Sequence, residues 1–300
     1  MNELLEAASL YAQTHHRTGV ALTPFPGVAV LRETLPTPLL YAVSKPLVAL
    51  VLQGRKRVSM GNATLEFGAG ESLVICADVP TVSQVTHASS REPYLALVVE
   101  LDQALIESLV LEIGSAHFSV NSPLRVEPTE AEVADTALRL LRLLGKPVSV
   151  GILQAQLLRE LHYWLLSGRH GGAIRALGVT SSHAYRISRA IACIREHFAQ
   201  PLRMEQLARL AGMSLSGFHT HFRMTTSLTP LQYQKQLRLM EARRALLEGL
   251  PIAKAAYDVG YESIPQFTRE YGRLFGLPPA TDIRHVKLRR SAARFDQPGR

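Results

Sequence analysis

Between residues 20 and 100, apolar and polar positions come in short strand-length runs. Gly27–Arg32, Leu47–Gln53, Ser72–Ile75 and Tyr94–Val99 are β-rich, and Gly, Pro and Asn turns such as Gly61-Asn62 and Gly68-Ala69-Gly70 separate them. Such spacing predicts a small antiparallel barrel or sandwich. From Asp102 the period becomes helical. Ala104–Ile113 is amphipathic, and in Thr129–Leu144 the residues Val133, Ala137, Leu140, Leu141 and Leu144 share one face. Thr129, with Glu132 three residues on, reads as a capping box, and Gly145-Lys-Pro ends the helix. Val150–Ser167 is the next helix, stopped by Gly168. The Gly/Ser-rich stretch 168–182 reads as a linker. Beyond Ser182 the pattern is almost wholly helical, at about 184–198, 204–211, 214–224, 230–247, 252–259 and 264–275, with a basic tail after Lys287 that reads as frayed.

Two of these helix pairs repeat one grammar. Arg203–Ala211 is a short helix, Gly212 supplies the turn, Met213 plugs it, and Ser214 is a good N-cap for the helix that follows. That helix holds Phe218 and Phe222 at i and i+4, facing inward. Its opposite side and first turn carry Ser214, Ser216, Gly217, His219, Thr220 and Arg223. About 48 residues later Ala256, Val259 and Gly260 stand where Ala208, Ala211 and Gly212 stood, and Tyr261 is the plug. The second helix now holds Phe267 and Tyr271, one residue later than in the first unit, with Ser263, Gln266, Thr268 and Arg269 facing out. Pro265 is tolerated because it lies in the first turn. Small and polar residues at the start of a second helix suit entry into a DNA major groove. One such helix-turn-helix pattern is weak evidence; two on one segment, joined by the long helix Pro230–Leu247, are strong.

Charge sharpens this reading. The chain carries a formal +8, yet residues 1–182 hold 14 Lys and Arg against 16 Asp and Glu, while residues 183–300 hold 19 against 9. A mildly acidic front joined to a strongly basic back is the footprint of a polyanion partner on the back segment. The acidic N-terminus lacks the order of a secretory signal and no apolar run reaches bilayer length, so the expected location is the cytoplasm.

Residues 184–286 resemble the DNA-binding domain of the AraC/XylS family of transcription regulators. The resemblance is carried by LARLAGMS, Leu228-Thr-Pro-Leu-Gln-Tyr-Gln-Lys, LRLMEARRALL, AAYDVGYES, QFTREYGRLFG and the closing Pro278-Pro-Ala-Thr-Asp-Ile-Arg. It implies that both second helices enter successive major-groove segments on one side of the duplex, and it implies RNA polymerase as a partner. The sequence departs from the family at Thr220, where a long basic residue is usual, and at Pro265, where Ser is more frequent. Thr cannot make a bidentate contact to guanine. Residues 20–115 resemble the cupin-like N-terminal domain of one AraC branch, through Leu52-Gln-Gly-Arg-Lys-Arg-Val, Phe67-Gly-Ala-Gly-Glu-Ser-Leu-Val, Asp78-Val-Pro and Pro93-Tyr-Leu-Ala-Leu. That resemblance implies an effector-sensing or dimerising module.

The expected architecture is therefore two domains. Residues 1–175 form an α+β cupin-like barrel with flanking helices, 176–183 a linker, and 184–300 an all-α domain with helix-turn-helix units at about 204–224 and 252–275. The expected function is promoter binding under control of a small-molecule effector, in a homodimer paired through Thr129–Leu144, with no cofactor and no membrane partner. The alternative is a cupin-type metal-dependent enzyme with a basic nucleic-acid-binding tail. His87 and His117 lack the clustered spacing of metal ligands, and His219 and His221, two apart on a helix, diverge by about 200°. No GxSxG, Walker or GxGxxG pattern is present. Cys76, expected near the barrel interior, and His87 are the candidate effector contacts. The other cysteine, Cys193, reads with Cys76 as a small packed thiol rather than a disulfide. Arg55-Lys-Arg57 reads as a solvated hairpin surface, with contact to an anionic effector as the alternative, and Tyr163 and Trp164 read as core.

Overall fold

A computed structural model describes residues 1–15, 18–114 and 124–295, with side chains to residue 288; His117 lies outside the described residues. The chain opens with helix α1 (Asn2–His15). Nine strands follow: β1 (Gly19–Leu22), β2 (Val28–Glu33), β3 (Leu40–Ser44), β4 (Leu47–Gln53), β5 (Arg55–Met60), β6 (Ala63–Gly68), β7 (Glu71–Ile75), β8 (Val79–His87) and β9 (Tyr94–Glu100). After α2 (Gln103–Ile113) and β10 (Leu124–Pro128) the chain is helical: α3 (Ala131–Leu143), α4 (Pro147–Ser167), α5 (Gly171–Gly178) and α6 (His183–Glu196). The last elements are α7 (Met204–Leu210), α8 (Leu215–Thr226), α9 (Pro230–Leu247), α10 (Ile252–Asp258), α11 (Ile264–Phe275) and α12 (Pro279–Phe295).

The strands form two antiparallel sheets, ordered β1-β2-β9-β4-β7-β10 and β3-β8-β5-β6. Alternation sorts their side chains between two cores. On β9, Leu95, Leu97 and Val99 face a layer made by α1 to α5, whereas Tyr94 and Ala96 face the barrel interior with Val51, Val58, Met60 and Phe67. The interior core runs on without a break into α6, α7, α8 and the first half of α9. A third core holds the second half of α9 with α10 and α11.

Several elements depart from the sequence expectation. Helix α1 escapes a periodicity reading because its buried stripe is only Leu4, Ala8 and Ala12. Residues 171–178, expected as linker, form α5, whose Ala173, Ile174, Ala176 and Leu177 are buried. The non-helical joint is thus Val179–Ser182, and the Ser182 hydroxyl caps α6 by accepting from the Tyr185 amide. Thr129 does not cap α3, which starts after Glu130 with no side-chain cap, and its buried hydroxyl has no partner among the described residues. A capping box does form at α9, where Thr229 and Gln232 each accept from the other's backbone N–H, an arrangement worth about 1 kcal/mol. The basic tail is not frayed as far as Phe295: it continues α12. Trp164 packs against the helical-layer core, but Tyr163 is exposed.

Candidate nucleic-acid interface

In the first unit α7 ends at Leu210 with Ala211 as its C-cap, and Gly212 turns the chain at φ +61°, in the region glycine enters without steric cost. The Ser214 hydroxyl then accepts from the Gly217 amide at 3.2 Å and starts α8. Phe218 and Phe222 are fully buried, 5.5 Å apart in an edge contact, and Phe222 meets Tyr233 of α9 edge-on at 5.7 Å. This fixes the rotation of α8 about its axis. Ser214, Ser216, His219, Thr220 and Arg223 are exposed in consequence, and Gly217 is half-buried. Thr220 donates its hydroxyl proton to the Ser216 carbonyl at 3.1 Å. His221 stacks on His183 of α6 at 3.5 Å. Burial, reinforced by the nearby His183 and Arg186, lowers the His221 pKa.

The second unit is built the same way but buttressed harder. Gly260 turns at φ +87°, and a Cβ there would stand 2.0 Å from the Ala199 carbonyl oxygen. Tyr261, the plug, is buried and donates to Glu270 at 2.8 Å. Phe267 and Tyr271 are fully buried and orient α11. Gln266 and Arg269 face out, while Ser263 and Thr268 are half-buried. Ser263 precedes α11 without a side-chain cap bond. Matching the inward pairs makes Thr220 the counterpart of Arg269, Ser216 of Pro265 and Met224 of Arg273.

What holds the units together was not visible in the sequence. Arg238 on α9 donates to the carbonyls of Phe198 (2.7 Å), Ala199 (3.0 Å), Gln200 (3.1 Å) and Gly260 (2.8 Å), tying the end of α6 to the second turn. Arg243 binds Asp282 of α12 through two hydrogen bonds of 2.7 and 3.2 Å, and Tyr271 donates to the same carboxylate at 2.7 Å. Lys235, Arg244 and Lys254 pair with carboxylates. Several cations counted in the sequence are therefore structural. Among the described residues, Arg189, Arg203, Arg209, Arg223, Arg269, Arg273 and Arg284 make no side-chain hydrogen bond or ion pair. Arg223 and Arg269 lie on the outward sides of α8 and α11, where guanidinium forks can meet phosphates or base edges.

This geometry of paired helix-turn-helix units agrees with comparison to known proteins. A family model described as helix-turn-helix domain matches residues 207–285, and the model described as AraC-type transcriptional regulator N-terminus matches residues 24–173, half of the chain. The protein belongs to the AraC-type transcriptional regulators. Membership of that family makes it a transcription regulator, and neither matched model describes an enzyme. Among curated relatives it is 30% identical over 104 residues to a probable thc operon regulatory protein of Rhodococcus erythropolis, covering 33% of this chain and 31% of that one. It is 31% identical over 102 residues to the transcriptional activator RhaS of Escherichia coli strain SE11, covering 34% and 36%. The chain thus spans about a third of the length of the curated relatives it matches. A crystal structure of ToxT from Vibrio cholerae shares the fold at a TM-score of 0.54 and 12% identity, covering 85% of this chain and 97% of that chain. No helix among the described residues is long and apolar enough to cross a membrane.

The front domain of this AraC-type chain separates its two candidate effector contacts. Cys76 does not face the barrel interior. Strand alternation turns it to the opposite side of the sheet, into the core beneath the helices, where burial pushes its thiol up to about 12. His87 is exposed at the end of β8, in register with Arg55. The hairpin cations also split: Arg55 and Arg57 are exposed, but Lys56 pairs in register with the buried Phe67 and Val85 and so shares their inward face. Burial lowers the Lys56 pKa, and the Glu33 carboxylate partly offsets this. Period-2 alternation around Val58 and Met60 was the signal that could have found Lys56.

Proposed function

We propose that this regulator reads promoter DNA with Ser214, Ser216, Gly217, His219, Thr220 and Arg223 of the first unit and Ser263, Gln266, Thr268 and Arg269 of the second. Residues 184–300 serve as the DNA-binding domain, residues 1–175 as the sensing and pairing domain, and the short joint between them as the linker. The observation that carries this reading is the matched rotation of α8 and α11, each held by two fully buried aromatic residues so that its small, polar and cationic residues face out.

The front domain binds a small-molecule effector and pairs with a second copy. Occupancy then biases how α8 and α11 are presented, which requires the effector to prefer one arrangement. Support for such coupling lies in contacts from the barrel to α6, α9 and the second unit. Tyr233 of α9 donates to the Asp78 carbonyl at 2.9 Å, Asp78 pairs with Arg195, and Tyr41 of β3 meets Phe275 of α11 at 4.7 Å. ToxT has been crystallised with an unsaturated fatty acid, which favours a small effector with an apolar body, and inward-facing Lys56 is the group an acidic effector would meet. RNA polymerase is the partner on the promoter, and the cytoplasm the compartment. Transcript profiling with and without the gene, paired with mapping of bound promoters, tests this: regulated genes should lie next to bound sites and point to the effector class. Regulated genes without nearby bound sites would count against direct control.

A further inference from the structure

We propose that the two units read different base chemistry: α11 selects guanine through Arg269, whereas α8 selects thymine methyl groups through Thr220 and Met224. This rests on the assignment of α8 and α11 as reading helices. Because Phe218 and Phe222 in one helix and Phe267 and Tyr271 in the other are all fully buried, both helices are held at the same rotation. Their central outward rows are then Ser216, Thr220 and Met224 in α8, and Pro265, Arg269 and Arg273 in α11, all six exposed.

The two rows offer opposite chemistry. Arg269 has no hydrogen bond or ion pair among the described residues, so its whole donor fork is available, and that fork matches O6 and N7 of guanine. The α8 row has no long donor. Thr220 has already given its hydroxyl proton to the Ser216 carbonyl, which leaves it a methyl group and an accepting oxygen. Met224 is 56% exposed, a large apolar side chain on an otherwise polar face. Ser216 and Gly217 keep the first turn small, so the helix backbone can approach the groove closely enough for a short side chain to reach. The apolar feature of the major groove is the thymine 5-methyl group, and a Thr methyl is among its natural partners.

The test starts from duplexes selected by the full-length protein from a random library. The half-site of α11 is identified as the one whose preference is lost with Arg269→Ala. Thymines in the other half-site are then replaced by deoxyuridine, which removes only the methyl groups. Affinity should fall about fourfold per contacted methyl. Thr220→Ser should cost affinity on the thymine duplex and little more on the deoxyuridine duplex, because the two changes delete one contact. Guanine to 7-deazaguanine in the α11 half-site should weaken the wild type and leave Arg269→Ala unaffected. A preferred sequence whose α8 half-site is indifferent to methyl removal overturns this proposal and leaves the reading-helix assignment standing. Selection that enriches no sequence overturns both.

Discussion

Gly260 shows how much one residue carries in the second unit. Its φ of +87° is strained for any L side chain, and an added Cβ would meet the Ala199 carbonyl at 2.0 Å while that oxygen accepts from Arg238. Gly260→Ala should therefore cost about 1–3 kcal/mol, measured as a lower denaturation midpoint; an unchanged midpoint would mean that the turn relaxes freely. On the outward side, Arg269→Ala should weaken binding to a selected duplex by about 1–3 kcal/mol and relax preference at one base, as direct base contacts require. Titration against matched and mismatched duplexes separates this from a phosphate contact, which would weaken both equally. These positions were legible in the sequence because a turn glycine and an i, i+4 aromatic pair fix geometry locally. Arg238 was not legible. Its four carbonyl partners lie 22 to 40 residues away, and composition counts it as one more cation for DNA.

Among the elements, α3 turns its apolar face inward while α4 leaves apolar residues outside, a division the sequence did not suggest. The leucine-rich face of α3, expected to pair two copies, is spent inside the molecule: Leu138, Leu140, Leu141 and Leu143 are all buried. Amphipathic periodicity says that a face is covered and not by what, so the covering α1 and α4 could not be foreseen. Helix α4 instead leaves apolar residues in water. Its stretch Pro147–Leu158 has no charged residue, and within it Val148 and Ile152, one turn apart, are 90% and 68% exposed. If that face pairs two copies, Ile152→Glu should leave the denaturation midpoint nearly unchanged and shift the protein from dimer to monomer in light scattering; a wild-type monomer at micromolar concentration would refute the pairing. The same helix carries a pH-sensitive joint. His162 donates from Nδ1 to the Leu158 carbonyl at 2.7 Å and accepts at Nε2 from the Asp102 amide at 3.1 Å, so it must be neutral. Burial lowers its pKa, against the opposing pull of the Leu158 bond and the Asp102 charge, and buried His170 is shifted the same way. A folded pKa below the unfolded one means stability that is full above about pH 6.5 and lost as pH falls through the lowered value. The denaturation midpoint should drop between about pH 7 and pH 5, and His162→Gln should flatten part of that drop; a midpoint constant over this range would contradict the neutral assignment.

Across the whole molecule, the barrel and the two helix-turn-helix units form one connected body. Tyr41 of β3 packs against Phe275, with the Arg243 guanidinium 5.4 Å from its ring, while Asp78 at the start of β8 meets Arg195 and Tyr233. The helical back third was readable almost element by element because its contacts are local in sequence. The barrel was readable only where strands are apolar; β5, β6 and β8 alternate with polar residues, and β8 pairs with β3 and β5 across long stretches of chain. The contact from Tyr233 to Asp78 spans 155 residues, beyond any local pattern. On the proposed reading, α8 and α11 together contact one face of a duplex. Footprinting of the full-length protein on mapped promoter DNA, over excess competitor at physiological salt, puts this to the test. The prediction is one protected site with two patches about one helical turn apart on the same face, lost with Arg269→Ala in the patch under α11 and weakening steeply as salt rises. Protection absent over competitor, or a single patch indifferent to Arg269, would contradict it.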